Sequence, residues 1–472
     1  MEGFDFENSG LEEKLKSVKS KAGSLSFLRL LVFVAMGGLF ILSVSESPVL
    51  FIAFAASVAG FVFLIRKYNE HKDQEAIYLA LEKINLQKEM RISRRLKDLD
   101  AGTEFQEKSH PFTNDLDLFG DHSLFQLLNH TVSKKGREAL ADKMKSSFDL
   151  AKAEIFREAS AELATKPHFL LAMESIGLAF YNEEKSNSGW INWLNERDKN
   201  SIVISIVAFI GPIGGLTLAV LTYFGVLLGA LLGVWILIGM IFLGMVFKPL
   251  KKAADSIPSR NQLKTYRYWL AVLESEKFHS AHLNEMQAPF LTKSVKASTL
   301  FDQLDRLGLW VQNRANILYI PLNLFFWTDL FLYLRLISWK NKHAGLVANF
   351  PDQLVAWEVL LSLGAFEAEV SGNGLVIPVS QGIKGSAVSH PLLKPGVAVP
   401  NDFAIEEKQR IILLTGANMS GKTTFMRTLG INCVLVNLGL RPFAKEFGFS
   451  GFQLYTSMRN SDNLGESVSS FY

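Results

Sequence analysis

Gly416-Ala417-Asn418-Met419-Ser420-Gly421-Lys422-Thr423 sets two glycines, a lysine and a hydroxyl at the spacing that phosphate chemistry needs. Glycines let successive backbone N–H groups curl around an anion, and a helix N-terminus adds positive potential. The lysine reaches the β- and γ-phosphates, and the threonine hydroxyl ligates Mg²⁺. Thr424 extends the same turn. The loop must be positioned by a strand before it and a helix after it. The apolar run Ile411-Ile412-Leu413-Leu414-Thr415 predicts the strand, and Phe425, Met426, Leu429 and Ile431 carry helical spacing. A chance glycine-rich turn would not have both flanks, so the sequence predicts binding of ATP or GTP with Mg²⁺.

Other chemistry-bearing residues form weaker patterns. His279 and His282 stand three apart with Glu285 a turn further on, a set that could hold a metal but fits a solvated helix face better. Asp302 and Asp305 share a face beside Arg306, which predicts surface ion pairing rather than acid–base work. Arg91, Arg94, Arg95 and Lys97 would suit anionic headgroups as well as DNA phosphates, and read most simply as a solvated helix face. Cys433, the single cysteine, sits among apolar residues and predicts a buried reduced thiol. A net charge of +3 gives no global electrostatic footprint for nucleic acid.

The chain of 472 residues is 49% hydrophobic, and the surplus is concentrated. Residues 30–44 and 49–65 are uncharged apolar runs joined by Ser45-Glu46-Ser47-Pro48, and residues 202–247 hold no charge at all. Each pair predicts a membrane hairpin, the second turning near residues 222–225. Gly225, Gly229 and Gly233 recur every fourth residue, a spacing that allows close helix packing in lipid. Lys14, Lys16, Lys19 and Lys21 precede the first hairpin, Arg66, Lys67 and Lys72 follow it, and Lys248, Lys251 and Lys252 follow the second. The positive-inside rule makes these flanks cytoplasmic. A third apolar run, 317–336, contains Pro321, Asn323, Asp329 and Arg335 and predicts a buried core helix rather than a fifth span. Residues 73–99, 150–194 and 253–309 read as helical, with breaks near Pro167, Pro258 and Pro289.

The words around the loop resemble the MutS family of DNA mismatch repair ATPases, whose loop also carries an Asn-Met pair. Asn114-Asp115-Leu116-Asp117-Leu118-Phe119, Ser123 to Thr131 and Gly136-Arg137 are similar to the opening of the MutS core. Ser389-His390-Pro391-Leu392-Leu393 and Val399-Pro400-Asn401-Asp402 are similar to the first strands of its ATPase. Ser461-Asp462-Asn463-Leu464-Gly465 with Ser469-Ser470-Phe471-Tyr472 resembles the segment that approaches the partner's nucleotide in MutS dimers, which would give Ser469 and Ser470 a role in trans. The resemblance covers roughly residues 111–472. Together with the two hairpins read from the apolar runs, it implies an α plus α/β protein: a helical core carrying those transmembrane hairpins, then an ABC-type P-loop ATPase domain. It also implies ATP and Mg²⁺ as ligands and a homodimer as the working form. His390 reads equally as a base contact or as a structural turn histidine.

The expected organisation is a cytoplasmic segment at 1–26, hairpins at 27–66 and 201–248, a helical linker at 67–110, core parts at 111–200 and 249–375, and the ATPase at 376–472. The given sequence stops at Tyr472 before any apolar run ending in Asp-Glu, so it reads as a fragment that does not contain its Walker B carboxylates, and hydrolysis is assigned to no residue. The mismatch-reading domain has no room before Asn114, and Phe105-Gln106-Glu107 is a coincidental match to its Phe-x-Glu motif. The second hairpin takes the place of the DNA clamp. The expected protein is thus an inner-membrane, multi-pass ATPase with membrane lipid as a partner and its ATPase in the cytoplasm. Binding of mismatched DNA is the alternative, and a transporter component the third reading.

Overall fold

The computed structural model describes residues 4–45, 49–182, 187–196, 202–291, 295–314, 316–317, 319–370, 372–405, 409, 411–417 and 420–458. The chain divides into two compact units, Met1–Ala179 with Lys277–Asn284 and Glu358–Tyr472, and Phe180–Glu276 with Glu285–Trp357.

The first unit begins with helices Leu11–Ser45 and Leu50–Ile92, which run back along one another. Phe33 meets Phe61 at 5.8 Å and Phe40 meets Phe54 at 5.4 Å in the apolar part. Nearer the open end Arg29 lies over the Tyr68 ring at 4.6 Å, and Tyr78 donates to Asp5 at 2.9 Å. Phe27, Leu30, Val34, Ile52 and Val62 stay exposed, so the pair turns an apolar surface outward over the segment that lacks charge. Past Arg66 the second helix becomes amphipathic, and Ile77, Leu81 and Ile84 are buried.

That helix ends inside the core, against the expectation for its basic cluster. Arg91 and Arg94 are buried, not solvated. Arg91 bonds the Asn129 carbonyl at 2.9 Å and faces Glu369 at 3.5 Å. Arg94 donates through Nε to the Pro391 carbonyl at 2.7 Å. A guanidinium has enough donors to cap several carbonyls at once, which is why these two serve as internal pins. Arg95 alone of the three arginines is exposed.

Around them lies one hydrophobic core built from Leu116, Leu124, Phe125, Leu128, Leu363, Phe366, Ile431, Val434 and Phe447. A four-stranded sheet borders it, with β1 (Leu375–Val376), β2 (Ile383–Val388), β3 (Asn401–Ala404) and β4 (Glu446–Phe449) in the order β1-β4-β2-β3. β1 and β4 are parallel, while β2 is antiparallel to both β3 and β4. The register of β2 and β3 slips between Gly385 and Val388. Asp402 Oδ1 fills the gap by accepting from Ala387 N at 2.7 Å and Ser386 Oγ at 3.1 Å.

The second unit holds the hairpin Ile202–Tyr223 and Ala230–Ser256. Helices Arg260–Ser275 and Ala297–Asn313 lie side by side, joined by Tyr266 on Phe301 at 5.7 Å and by Arg267 with Asp302 at 2.6 Å. Asp302 also takes Arg306 at 2.9 Å, as the surface-pairing reading expected. Asp305 instead is buried, which pushes its carboxyl above the usual range.

Two expectations fail here. A Cβ at Gly229 or Gly233 would meet nothing within 4 Å, so that stripe is not a packing seam. The tight positions are Gly211, Gly215 and Gly239, where added atoms would strike Phe325, Phe326 or Trp327, and Gly214, where they would strike Trp235. Nor is 317–336 one core helix. It breaks into Tyr319–Phe326 and Thr328–Val347, bent by 87° at Trp327, whose φ is +53°. Ile320 and Leu322 on the short half are about half exposed. The broken backbone is satisfied locally: Trp235 donates to Phe325 O at 2.9 Å, and Asn323 Oδ1 accepts from Asp329 N at 2.8 Å. Among the described residues four helices are long and apolar enough to cross a membrane, or five if the bent pair is one span.

Candidate nucleotide site

Helix Lys422–Asn437 carries the site. Its far half is driven inward by Ile431, Cys433, Val434, Leu435 and Val436, all at most 1% exposed, while its first turn stays at the surface. Burial raises the Cys433 thiol well above its ordinary value, in keeping with an inert core thiol. Gly430 lies against Leu116, and Arg427 reaches the same segment: Nε donates to the Asp115 carbonyl at 2.7 Å and Nη1 pairs with Asp117 at 3.0 Å. Residues 114–119 therefore brace the helix that begins the loop. Spacing within either segment alone carries no sign of this contact.

Gly421 stands before the helix with φ +88°, a left-handed turn that favours glycine. Phe425 N donates to Gly421 O at 2.8 Å and Ser420 N to Ala417 O at 3.2 Å, so Gly416–Ala417 and Ser420–Gly421 fold back over the helix start. Lys422 Nζ turns into that curl, 2.8 Å from Gly416 O and 2.7 Å from Ala417 O. It pairs with no carboxylate among the described residues. Thr423 and Thr424 expose their side chains at the helix start. Asn418 and Met419, and likewise Ser469 and Ser470, lie outside the described residues. A bare ammonium held by weak neutral acceptors at a helix N-terminus fits a polyphosphate, and the exposed Thr423 hydroxyl fits a magnesium ligand.

The strand expected at 411–415 is not formed. Ile411 is 88% and Leu413 84% exposed, and no described strand pairs with them. A β-segment without a ladder partner has no hydrogen bonds to fix it. The helix is tied to the sheet instead by Phe425 on Phe403 of β3 at 5.5 Å.

His390 lies in the turn after β2, with its Nδ1 accepting from Leu392 N at 3.3 Å. Burial first, then the positive Arg427 and the neighbouring His122, bring it down to a pKa of about 4, so it is neutral. The ring is 9% exposed, which favours the structural turn over the base contact. Three contacts fix this turn: Arg94 on Pro391 O, His122 on Leu392 O at 2.9 Å, and Asn432 Nδ2 on Ser389 O at 3.1 Å. Among the described residues no group of three or more acidic, histidine or cysteine side chains could hold a metal, which removes the His279–His282 reading. His282 stacks on Phe156 instead, at 5.4 Å.

These observations define an α plus α/β protein whose glycine-lysine-threonine loop opens a half-buried helix. No family model matches the chain. It is 26% identical over 234 residues to a DNA mismatch repair protein MutS of Nitratidesulfovibrio vulgaris, covering 48% of this chain and 22% of that protein. The MutS of Desulfovibrio desulfuricans is 36% identical over 144 residues, 28% of this chain and 14% of its own length. The MutS of Chlamydia muridarum is 26% identical over 147 residues, 30% and 18%. The chain has a MutS-like family relationship, and it spans about a fifth of the length of the relatives it matches.

Proposed function

We propose that the protein is a membrane-anchored, MutS-like ATPase that binds ATP with Mg²⁺ at Gly416–Thr424 and works as a homodimer. The observation that carries this reading is Lys422, an ammonium without an acid partner among the described residues, folded into a glycine loop at a helix N-terminus. In it, Lys422 leaves the Gly416 and Ala417 carbonyls to meet the β- and γ-phosphates, the amides from Gly416 to Gly421 donate to phosphate oxygens, and Thr423 holds the metal. Magnesium, when bound, neutralises phosphate charge. Ser469 and Ser470 act on the partner's nucleotide.

The four apolar helices support anchoring in the inner membrane, with the basic flanks and the ATPase on the cytoplasmic side. In this reading the helical stretches 150–194 and 253–309, on either side of hairpin 201–248, act as levers that carry ATP-driven rearrangement of the dimer to it. Cysteine pairs placed across the levers test this, since crosslinks that are identical with and without ATP would sink the coupling. Action on mismatched DNA, which the names of the relatives suggest, is the second reading. Filter binding of homoduplex and mismatched DNA at stated salt separates the two: preference for the mismatch would favour DNA, and weak binding without preference favours the membrane.

A further inference from the structure

In the second unit, helices Ala297–Asn313 and Thr328–Val347 enclose a cleft of about 580 Å³ that the nucleotide reading does not use. Trp310 lines it from one helix, and Phe331, Arg335, Trp339, Lys342 and His343 from the other. Positions 331, 335, 339 and 342 repeat at helical spacing and so share a face. Arg335 rests on the Phe331 ring at 5.0 Å, and neither Arg335 nor Lys342 pairs with a carboxylate among the described residues. Arg306, at the rim, is already engaged by Asp302. Trp339 is 5% exposed, yet its indole N–H finds no acceptor. Buried donors are ordinarily bonded. Two cations that pair with no carboxylate among the described residues, set on aromatic walls, complement an anion that carries an apolar body.

The level of the cleft identifies the source of that anion. Trp327 stacks on Trp235 at 4.2 Å and packs on Gly211 and Gly239. Each glycine is nine residues inside an end of the apolar hairpin, at Ile202 and at Lys248, so Trp327 lies about 13 Å deep along it. Arg335 is eight residues further on, a rise of about 12 Å. Lys340 beyond it bonds the Trp193 carbonyl at 3.1 Å, and Trp193 precedes the apolar run. The helix therefore climbs from the middle of the hairpin to its ends, and Arg335 stands where hydrocarbon gives way to headgroups.

We propose that this cleft binds the phosphate headgroup of an anionic phospholipid in the leaflet next to Lys248, Lys251 and Lys252. Arg335 and Lys342 neutralise the phosphate, and Trp310 and Phe331 lie against the upper acyl chain. The inference rests on the membrane reading above.

The test uses the full chain in vesicles of phosphatidylcholine, with and without phosphatidylglycerol. Flotation after a carbonate wash reports insertion, and native mass spectrometry of the detergent-extracted protein counts retained lipid. The expected result is flotation with preferential retention of phosphatidylglycerol. That preference falls about fivefold in Arg335→Gln and again in Lys342→Gln, and persists in Lys19→Gln. Equal flotation of the variants shows that they still fold and insert. A chain that does not float overturns both the membrane reading and this one. A chain that floats without preference, or whose preference survives both cleft substitutions, overturns the headgroup site alone. Displacement of the lipid by millimolar inorganic phosphate would assign the cleft to a soluble anion and overturn the lipid source.

Discussion

Among the described residues Lys422 is held only by neutral groups, the Gly416 and Ala417 carbonyls and the Ser420 hydroxyl, so removing it costs the folded chain little and a bound polyphosphate much. Lys422→Ala should weaken ATP binding by about 10- to 100-fold, the worth of a charge-assisted contact, with Tm unchanged. Calorimetric titration with ATP and Mg²⁺ checks this, and a falling Tm would mean the side chain is structural. His390 gives a prediction of opposite kind. Its folded pKa, about 4, lies below the ordinary histidine value, so the unfolded chain takes the proton first as pH drops. Stability is full above about pH 6.5 and is lost as pH falls toward 4, by on the order of 3 kcal/mol at most. His390→Gln should flatten Tm against pH over that window, and an unchanged slope would contradict the buried-turn assignment. The helix start after Gly421 was legible in the sequence, because a left-handed turn there favours glycine and the apolar spacing that follows is local. The burial of Arg91 and Arg94 was not legible, because the carbonyls they cap, at Asn129 and Pro391, are brought to them only by the fold.

Among the elements, the apolar hairpins and most helices were readable from charge-free length and proline breaks, since those properties are local. Packing partners were not. The stripe Gly225, Gly229, Gly233 has the spacing of a helix seam, yet close contacts fall at Gly211, Gly214, Gly215 and Gly239, because Trp235 of the paired helix and Phe325 to Trp327, about a hundred residues away in sequence, wedge there. Gly239→Val should therefore overpack the hairpin, costing about 1–3 kcal/mol in a thermal melt of the detergent-purified protein, while Gly229→Val changes it little. Equal losses would contradict the packing described. Residues 411–415 show the converse limit. An apolar run predicts a strand only where a ladder partner exists, and none of the described strands supplies one. The 87° break was also hidden, although Asn323 and Asp329, which satisfy it, were the polar residues that argued against a straight span.

At the scale of the whole molecule, similarity to MutS and a surface of exposed apolar helices coexist in one chain. Phe27 and Ile52 in the first unit, and Ile202, Phe209, Leu237 and Ile241 in the second, are all more than half exposed, so each unit carries exposed apolar helices of the kind that mark a lipid or partner surface. If these helices lie in lipid, salt and urea washes should leave the full chain on vesicles while detergent releases it; release by salt alone would mean a surface-bound protein. The central claim joins that anchor to the loop at Gly416. Its most direct test is retention of radiolabelled ATP, in the presence of Mg²⁺, by the full chain floated in vesicles. The account predicts that ATP rises with the parent protein and not with Lys422→Ala. Vesicle-bound protein that carries no ATP, or carries it equally in the variant, would contradict it.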